Sequence, residues 1–430
     1  MINTRLIAAL FWLLWTVSGI SQSLEEKLSD LSSEYGFSYA ALKTDTLFTE
    51  KYILWFDQPV DHKSSGGETF RQRVFLSHKD AGEPVIFITE GYDAYYAASP
   101  RYVSEMAGIL GANQIVVEHR YFGKSKPDPL NWDHLTVYNA AADQHRVITV
   151  LKHLYQGKWI STGISKGGQT AMYHRFFYPD DVDMTVPYVA PLNFSTEERR
   201  VYRFLKQVGS KECRDKILRF QTKLLENKAD YLPAFQKLAA QKKLNYRMGI
   251  EKAFELTVFE YSFAFWQWGQ YGCDKIPDDF SDKEKTIRHL DDVAGIDWIS
   301  DEGIQKLQPF FYQAMREIGF YGYDITPFRS WTSFETNPTF EFTLPEDVEV
   351  TYEPQLMQEV DHFIRHKAER MLFIYGEYDP WSAPGVDLTY HTSSMKVVKP
   401  GGSHRTRIRN LPPELKDQVL NTLEDWLSQP

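Results

Sequence analysis

The sequence predicts an α/β fold: a mainly parallel sheet interrupted by a large, mostly helical insertion. Three observations carry this. Short, fully apolar runs recur in the first and last parts of the chain, and such runs suit strands buried on both faces. Amphipathic helical stretches alternate with them, which is the pattern of strand–helix–strand units. From Ser195 the pattern changes to long, charged helical stretches with almost no strand-like run. Three segments are therefore expected after the leader: a first core part (22–194), a helical insertion (195–350) and a second core part (351–430).

Met1–Arg5 carry one positive charge, residues 6–15 (LIAALFWLLW) are continuously apolar, and Ser18, Gly19 and Ser21 are small. That order is the signature of a secretory signal peptide, so 1–21 is read as a leader cleaved after Ser21. The apolar run is short for a hydrocarbon core of roughly 30 Å. A secreted or periplasmic location follows, with no stable membrane insertion after cleavage.

Tyr52–Pro59 and Thr69–Leu76 read as strands, as do the apolar runs Pro84–Thr89 (PVIFIT) and Gln114–Val117 (QIVV). Ala140, Ala141, Val147, Ile148, Leu151 and Leu154 share one face of a helix spanning Asn139–Tyr155. Trp159–Thr162 is a strand, Gln169–Phe177 a helix and Met184–Val189 another strand. Phe254–Tyr271 is densely aromatic. Turn signals stand at Thr326-Pro327 and Asn337-Pro338. Strands return at Arg370–Tyr375 and Met395–Val398, and an amphipathic helix runs from Pro413 to Leu427.

The 430 residues are 43% hydrophobic and 25% charged, which excludes wholesale disorder. The net charge of −10 argues against nucleic acid as a main partner. Two cysteines, Cys213 and Cys273, exclude a disulfide-dense scaffold and a cysteine-based metal cluster. They either pair in an oxidising compartment or stay as two buried thiols. The aromatic fraction is 15%, which points to apolar pocket surface as well as core.

Gly163-Ile164-Ser165-Lys166-Gly167 matches G-x-S-x-G, the nucleophile elbow of α/β-hydrolases. The serine must sit on a sharp strand-to-helix turn, and the flanking glycines allow that turn to close. The next backbone N–H, from Lys166, then faces a developing oxyanion. A base and its orienting acid should follow in the order acid, then histidine. Asp379 stands after the RMLFIY strand, with Pro380 and Trp381 to fix its loop, and Glu377 is the runner-up. His404 stands in the glycine-bearing loop after the last strand. A second oxyanion donor should come from the loop after PVIFIT, at Gly91 or Tyr92. Gly123-Lys124-Ser125 resembles the end of a phosphate-binding loop, but that motif needs a glycine where Glu118 stands. Asn193-Phe194-Ser195 is formally a glycosylation acceptor.

TGISKGGQTAMYHRFFYPDDVD (162–183) and VPYVAPLN (186–193) resemble the bacterial secreted tripeptidyl aminopeptidases, serine peptidases of α/β-hydrolase fold. EHRYFGKSKP (118–127) resembles a run in the related lysosomal prolyl carboxypeptidase and dipeptidyl peptidase II. Asp379-Pro380-Trp381 and the segment Trp266–Cys273 resemble further stretches of that group. Lys166 stands where the lysosomal enzymes carry a tyrosine, which points to the tripeptidyl aminopeptidase branch.

The resemblance implies an α/β-hydrolase with a helical cap and a serine exopeptidase. It would release short peptides, tripeptides foremost and proline-directed cleavage included, from free N-termini. Ser165, Asp379 and His404 would form the triad, with neither metal nor organic cofactor. An aminopeptidase needs a carboxylate for the substrate ammonium. Glu90 is the first candidate, with Glu260 and Asp274 behind it. Trp381, Trp266 and the neighbouring Phe265 and Trp268 could line an apolar subsite. Arg120 and Tyr121 read as structural. Two rivals stand beside this: an esterase or lipase with the same triad, and an inactive binding protein on the same scaffold.

Overall fold

The computed structural model describes residues 22–388 and 393–429, so the expected leader lies outside the described residues. The strands are β1 (Phe37–Ala41), β2 (Glu50–Pro59), β3 (Thr69–His78), β4 (Val85–Thr89), β5 (Asn113–Val117), β6 (Trp159–Ile164), β7 (Met184–Tyr188), β8 (Leu372–Gly376) and β9 (Met395–Lys399). They form one sheet in the order β1-β2-β3-β5-β4-β6-β7-β8-β9. β1, β2, β3 and β5 pair antiparallel, and every neighbouring pair from β5 to β9 is parallel. β4, β5, β7 and β8 are buried at every residue, as strands covered on both faces are, with Asn113, Gln114 and Thr185 the buried polar exceptions among β5 and β7. Edge strand β9 alternates instead.

Helices cover both faces. Val147, Ile148 and Leu151 of helix Val137–Leu151 pack with Phe87 and Ile115 on one face. Val419, Leu423 and Trp426 of helix Pro413–Ser428 pack with Ile88, Val186 and Ile374 on the other. This is the mixed, helix-covered sheet of an α/β-hydrolase. β1 and helices Leu24–Tyr35, Glu105–Leu110 and Gln355–His366 go beyond the sequence reading. The first of these helices opens with a capping box between Ser23 and Glu26.

Residues 189–371 hold seven α-helices and no strand. The long aromatic segment forms helix Ile250–Trp268, which is buried almost all round and so lies inside its helical neighbours. Cys213, in helix Lys211–Glu226, is disulfide-bonded to Cys273, just past the end of that aromatic helix. The core is continuous across the sheet and the insertion: Met172, Phe373 and Tyr375 belong to the same apolar cluster as Phe263 and Phe320. Helix Gln355–His366 returns to the sheet side, with Phe363 edge-on to Phe176 at 5.7 Å.

Candidate active site

β6 ends at Ile164, and helix Lys166–Phe177 begins one residue after Ser165. Ser165 is held between them at φ 56° and ψ −121°, a conformation that non-glycine residues rarely adopt. Its N–H donates to the Tyr188 carbonyl at 2.8 Å, which ties the turn to β7. The flanking glycines are sterically required. A Cβ on Gly163 would lie 2.2 Å from the Gly167 carbonyl oxygen, and one on Gly167 would lie 2.6 Å from that of Thr89. The first i→i−4 bond of the new helix is Gln169 N–H to Ser165 C=O at 2.9 Å. The amides of Lys166, Gly167 and Gly168 precede it and form the positive end of the helix dipole.

The acid and the histidine lie at the same edge of the sheet. β6, β7, β8 and β9 run parallel, so their C-terminal ends face one way. Asp379 and His404 follow β8 and β9 there. Asp379 Oδ2 and His404 Nδ1 are 2.7 Å apart, and both side chains are buried. Asp379 Oδ1 accepts from the Trp381 N–H, as the Pro-Trp reading anticipates. Glu377 serves the loop instead: its carboxylate accepts from the Gly401 N–H at 2.7 Å. The insertion grips the histidine loop. The His404 N–H donates to the Gln267 carbonyl at 2.8 Å, and the Trp268 ring stands edge-on to His404 at 6.0 Å.

The loop after β4 closes on the elbow. A Cβ on Gly91 would lie 2.6 Å from the Lys166 Cβ and 2.8 Å from the Gly167 nitrogen, so only glycine fits. The Lys166 side chain is buried and its ammonium lies 5.6 Å from the Phe122 ring centre and 5.9 Å from that of Tyr92. Burial lowers its pKa to about 7, partly offset by Glu90. Enclosure raises the Glu90 carboxyl to about 7, against the hydrogen bond from the Tyr96 hydroxyl.

A cavity of about 240 Å³ opens between the elbow and the insertion, lined among others by Tyr92, Ser165, Lys166, Glu260, Trp268 and Trp381. Glu260 is 6% exposed, and its Oε2 accepts from the hydroxyls of Tyr321 at 2.8 Å and Tyr323 at 2.7 Å. Burial raises its pKa to about 7 in spite of those two donors. Of the carboxylates named from sequence, Glu260 is the one on this wall. Glu90, first in the loop after β4, accepts from the Tyr96 hydroxyl and does not line this cavity. Asp274 is not brought to the cavity: its side chain is 71% exposed and pairs with Lys275. Nor does Trp266 line it; that ring packs edge-on to Tyr378 at 5.5 Å. Phe265 packs edge-on to Trp266 rather than lining this wall. Arg120 is buried in a two-pronged ion pair with Asp143, a structural role as expected.

Sequence reasoning missed Tyr321 and Tyr323. The aromatic cluster Phe320-Tyr321-Gly322-Tyr323 was its only signal. Asn193 was also missed as a wall residue. It is 1% exposed, and its Oδ1 has no hydrogen-bond partner among the described residues. Among the described residues no group of three or more His, Cys, Asp or Glu could hold a metal ion. No described helix is long and apolar enough to cross a membrane.

The sheet order, the strained serine turn and the acid and histidine loops beside it define an α/β-hydrolase built around a serine. Residues 27–429 match the family PS-10 peptidase S37, and the chain belongs to that family of serine peptidases. Its substrates are peptides. It is 32% identical to the prolyl tri/tetrapeptidyl aminopeptidase of Streptomyces mobaraensis, over 87% of this chain and 79% of that one. It is 29% identical to the lysosomal Pro-X carboxypeptidase of Mus musculus over 43% of this chain and 41% of that one. Among solved structures, proline iminopeptidase from Mycobacterium smegmatis aligns with a TM-score of 0.40 and 15% identity, covering 91% of this chain and 99% of that one.

Proposed function

We propose that this serine peptidase removes short peptides, tripeptides foremost, from free N-termini through an acyl-enzyme. Ser165 attacks the scissile carbonyl, His404 takes its proton and later delivers it to the leaving amine, and Asp379 holds the imidazole in the productive tautomer. The oxyanion is held by the Lys166 N–H and by that of Gly91 or Tyr92. Losing one such donor typically costs about 2.7–4 kcal/mol of transition-state stabilisation.

The observation that carries the aminopeptidase reading is the Glu260 carboxyl on the wall of the cavity that Ser165 also lines. A buried carboxylate without a cationic partner is penalised, and a substrate ammonium relieves that penalty. Glu260 therefore replaces Glu90 as the first candidate for binding the substrate amine. Lys166, with its pKa lowered to about 7, is largely uncharged above neutrality and does not repel that amine. Asn193 Oδ1 is available to accept from a substrate N–H. Trp381 and the aromatic wall around it suit a pyrrolidine ring, in keeping with the name of the Streptomyces relative.

The segment 195–350 acts as the cap over a core made of 22–194 and 351–430. Residues 1–21 direct secretion, and the Cys213–Cys273 disulfide supports an oxidising compartment. The test is digestion of a mixed peptide library, free and N-acetylated, with products identified by mass spectrometry. Short N-terminal fragments should come from the free library alone and vanish with Ser165→Ala. Equal cleavage of the acetylated library overturns the reading.

A further inference from the structure

A second cavity, of about 310 Å³, lies back to back with the first, inside the helical insertion. Its lining includes the apolar side chains of Ile217, Leu218, Phe259 and Phe328. Tyr321 lines both cavities, and Phe263 lines the second. The two rings stack face to face, with centroids 3.9 Å apart and planes 8° from parallel. Trp381 buttresses the pair, edge-on to Phe263 at 5.1 Å and to Tyr321 at 5.3 Å. The Tyr321 ring is therefore the wall the two cavities share, and Phe263 stacks against it from the side of the second.

The partition sits beside Glu260. Phe263 is one turn along the same helix, so both side chains project from one face. Tyr321 and Tyr323, which both line the second cavity, hold the Glu260 carboxyl from behind. An N-terminal ammonium at Glu260 would then have solid aromatic wall beyond it. The first cavity, at about 240 Å³, is below the usual ligand-pocket range of roughly 300–1,000 Å³. Joined to the second, it would fall within that range.

We propose that the stacked Phe263–Tyr321 pair sets the length of the peptide released, by closing the substrate cavity beyond Glu260. The second cavity is the space that one further N-terminal residue with an apolar side chain would occupy if the partition were opened. The inference rests on the reading that Glu260 binds the substrate ammonium.

The test uses peptidyl anilides of two to five residues with apolar N-terminal residues. They are assayed with wild type, Phe263→Leu, Phe263→Ala and Tyr321→Ala, each first checked for cooperative melting. Tyr321→Phe keeps the ring and removes its hydrogen bond to Glu260. The kcat/KM ratio of the substrate one residue longer to the preferred one should rise at least about 10-fold in Phe263→Ala and Tyr321→Ala, the scale of one apolar group in a pocket. Phe263→Leu, the mildest cut, should move it the same way by less and carries the test if the alanine variants do not fold. Tyr321→Phe should raise KM for every length without moving the preference. An unchanged preference in every folded Phe263 and Tyr321→Ala variant overturns the partition. Wild type that cleaves N-acetylated anilides as fast as free ones instead overturns the underlying aminopeptidase reading, so the two failures are distinct.

Discussion

His404 Nδ1 lies 2.7 Å from Asp379 Oδ2, and the two side chains are only 7% and 0% exposed. A carboxylate this enclosed fixes the imidazole tautomer and leaves the other ring nitrogen free for the serine. Asp379→Asn keeps the size but inverts that preference. It should lower kcat by on the order of 10³–10⁴-fold with little change in melting temperature, read by steady-state kinetics and calorimetry together.

On the proposed anchoring role, Glu260 should set the pH dependence of binding. Its pKa is raised to about 7, so it loses its charge as pH falls through neutrality, and Lys166 gains charge over the same range. Both changes oppose an ammonium. The substrate amine itself loses its proton near pH 7.7–8.0. KM for a free peptidyl anilide should therefore be lowest in the narrow interval between about 7 and 8 and rise on both sides, measured from pH 5.5 to 9.5.

Glu317 is also raised to about 7 by burial, while accepting the Val137 N–H at 2.8 Å. Between about pH 4.5 and 7 the folded chain holds a proton there that the unfolded chain releases. Stability from this group is thus complete at low pH and falls as pH rises through that window. Glu317→Gln can still accept the Val137 N–H and has no charge to bury. Its melting temperature relative to wild type should be more favourable at pH 8 than at pH 5, by the equivalent of at most about 3 kcal/mol.

The Cys213–Cys273 disulfide closes a loop of 60 residues around the aromatic helix. Chain-entropy reasoning gives such a link up to about 4 kcal/mol. A thiol reductant should lower the melting temperature of wild type. It should leave the Cys213→Ser/Cys273→Ser double variant, already less stable, unmoved.

The central strands were legible because parallel strands buried on both faces read as nearly continuous apolar runs, as in β4 and β8. β1 was not: it is a five-residue edge strand in which only Phe37 is buried, and its small residues carry no buried-strand signal. The elbow was legible because its glycines are demanded by contacts within a few residues of Ser165. Which carboxylate lines the cavity was not legible, for the opposite reason. Glu260 becomes a cavity residue only when Tyr321 and Tyr323, 61 and 63 residues away, fold back onto it. The sequence favours Glu90 because it adjoins Gly91 in the chain, and it does not separate Glu260 from Asp274, which both lie by the aromatic stretch. Sequence proximity says little about which side of a loop a carboxyl faces.

The central claim, a serine aminopeptidase that anchors its substrate through Glu260, is tested most directly by one paired measurement. It is kcat/KM for a tripeptidyl anilide with a free and an acetylated N-terminus, in wild type and in Glu260→Gln. Wild type should favour the free substrate by roughly 30-fold or more, the scale of a buried charge left unpaired, and Glu260→Gln should remove most of that ratio. A large ratio that survives in a folded Glu260→Gln would contradict the anchor, and equal rates in wild type would contradict the aminopeptidase itself.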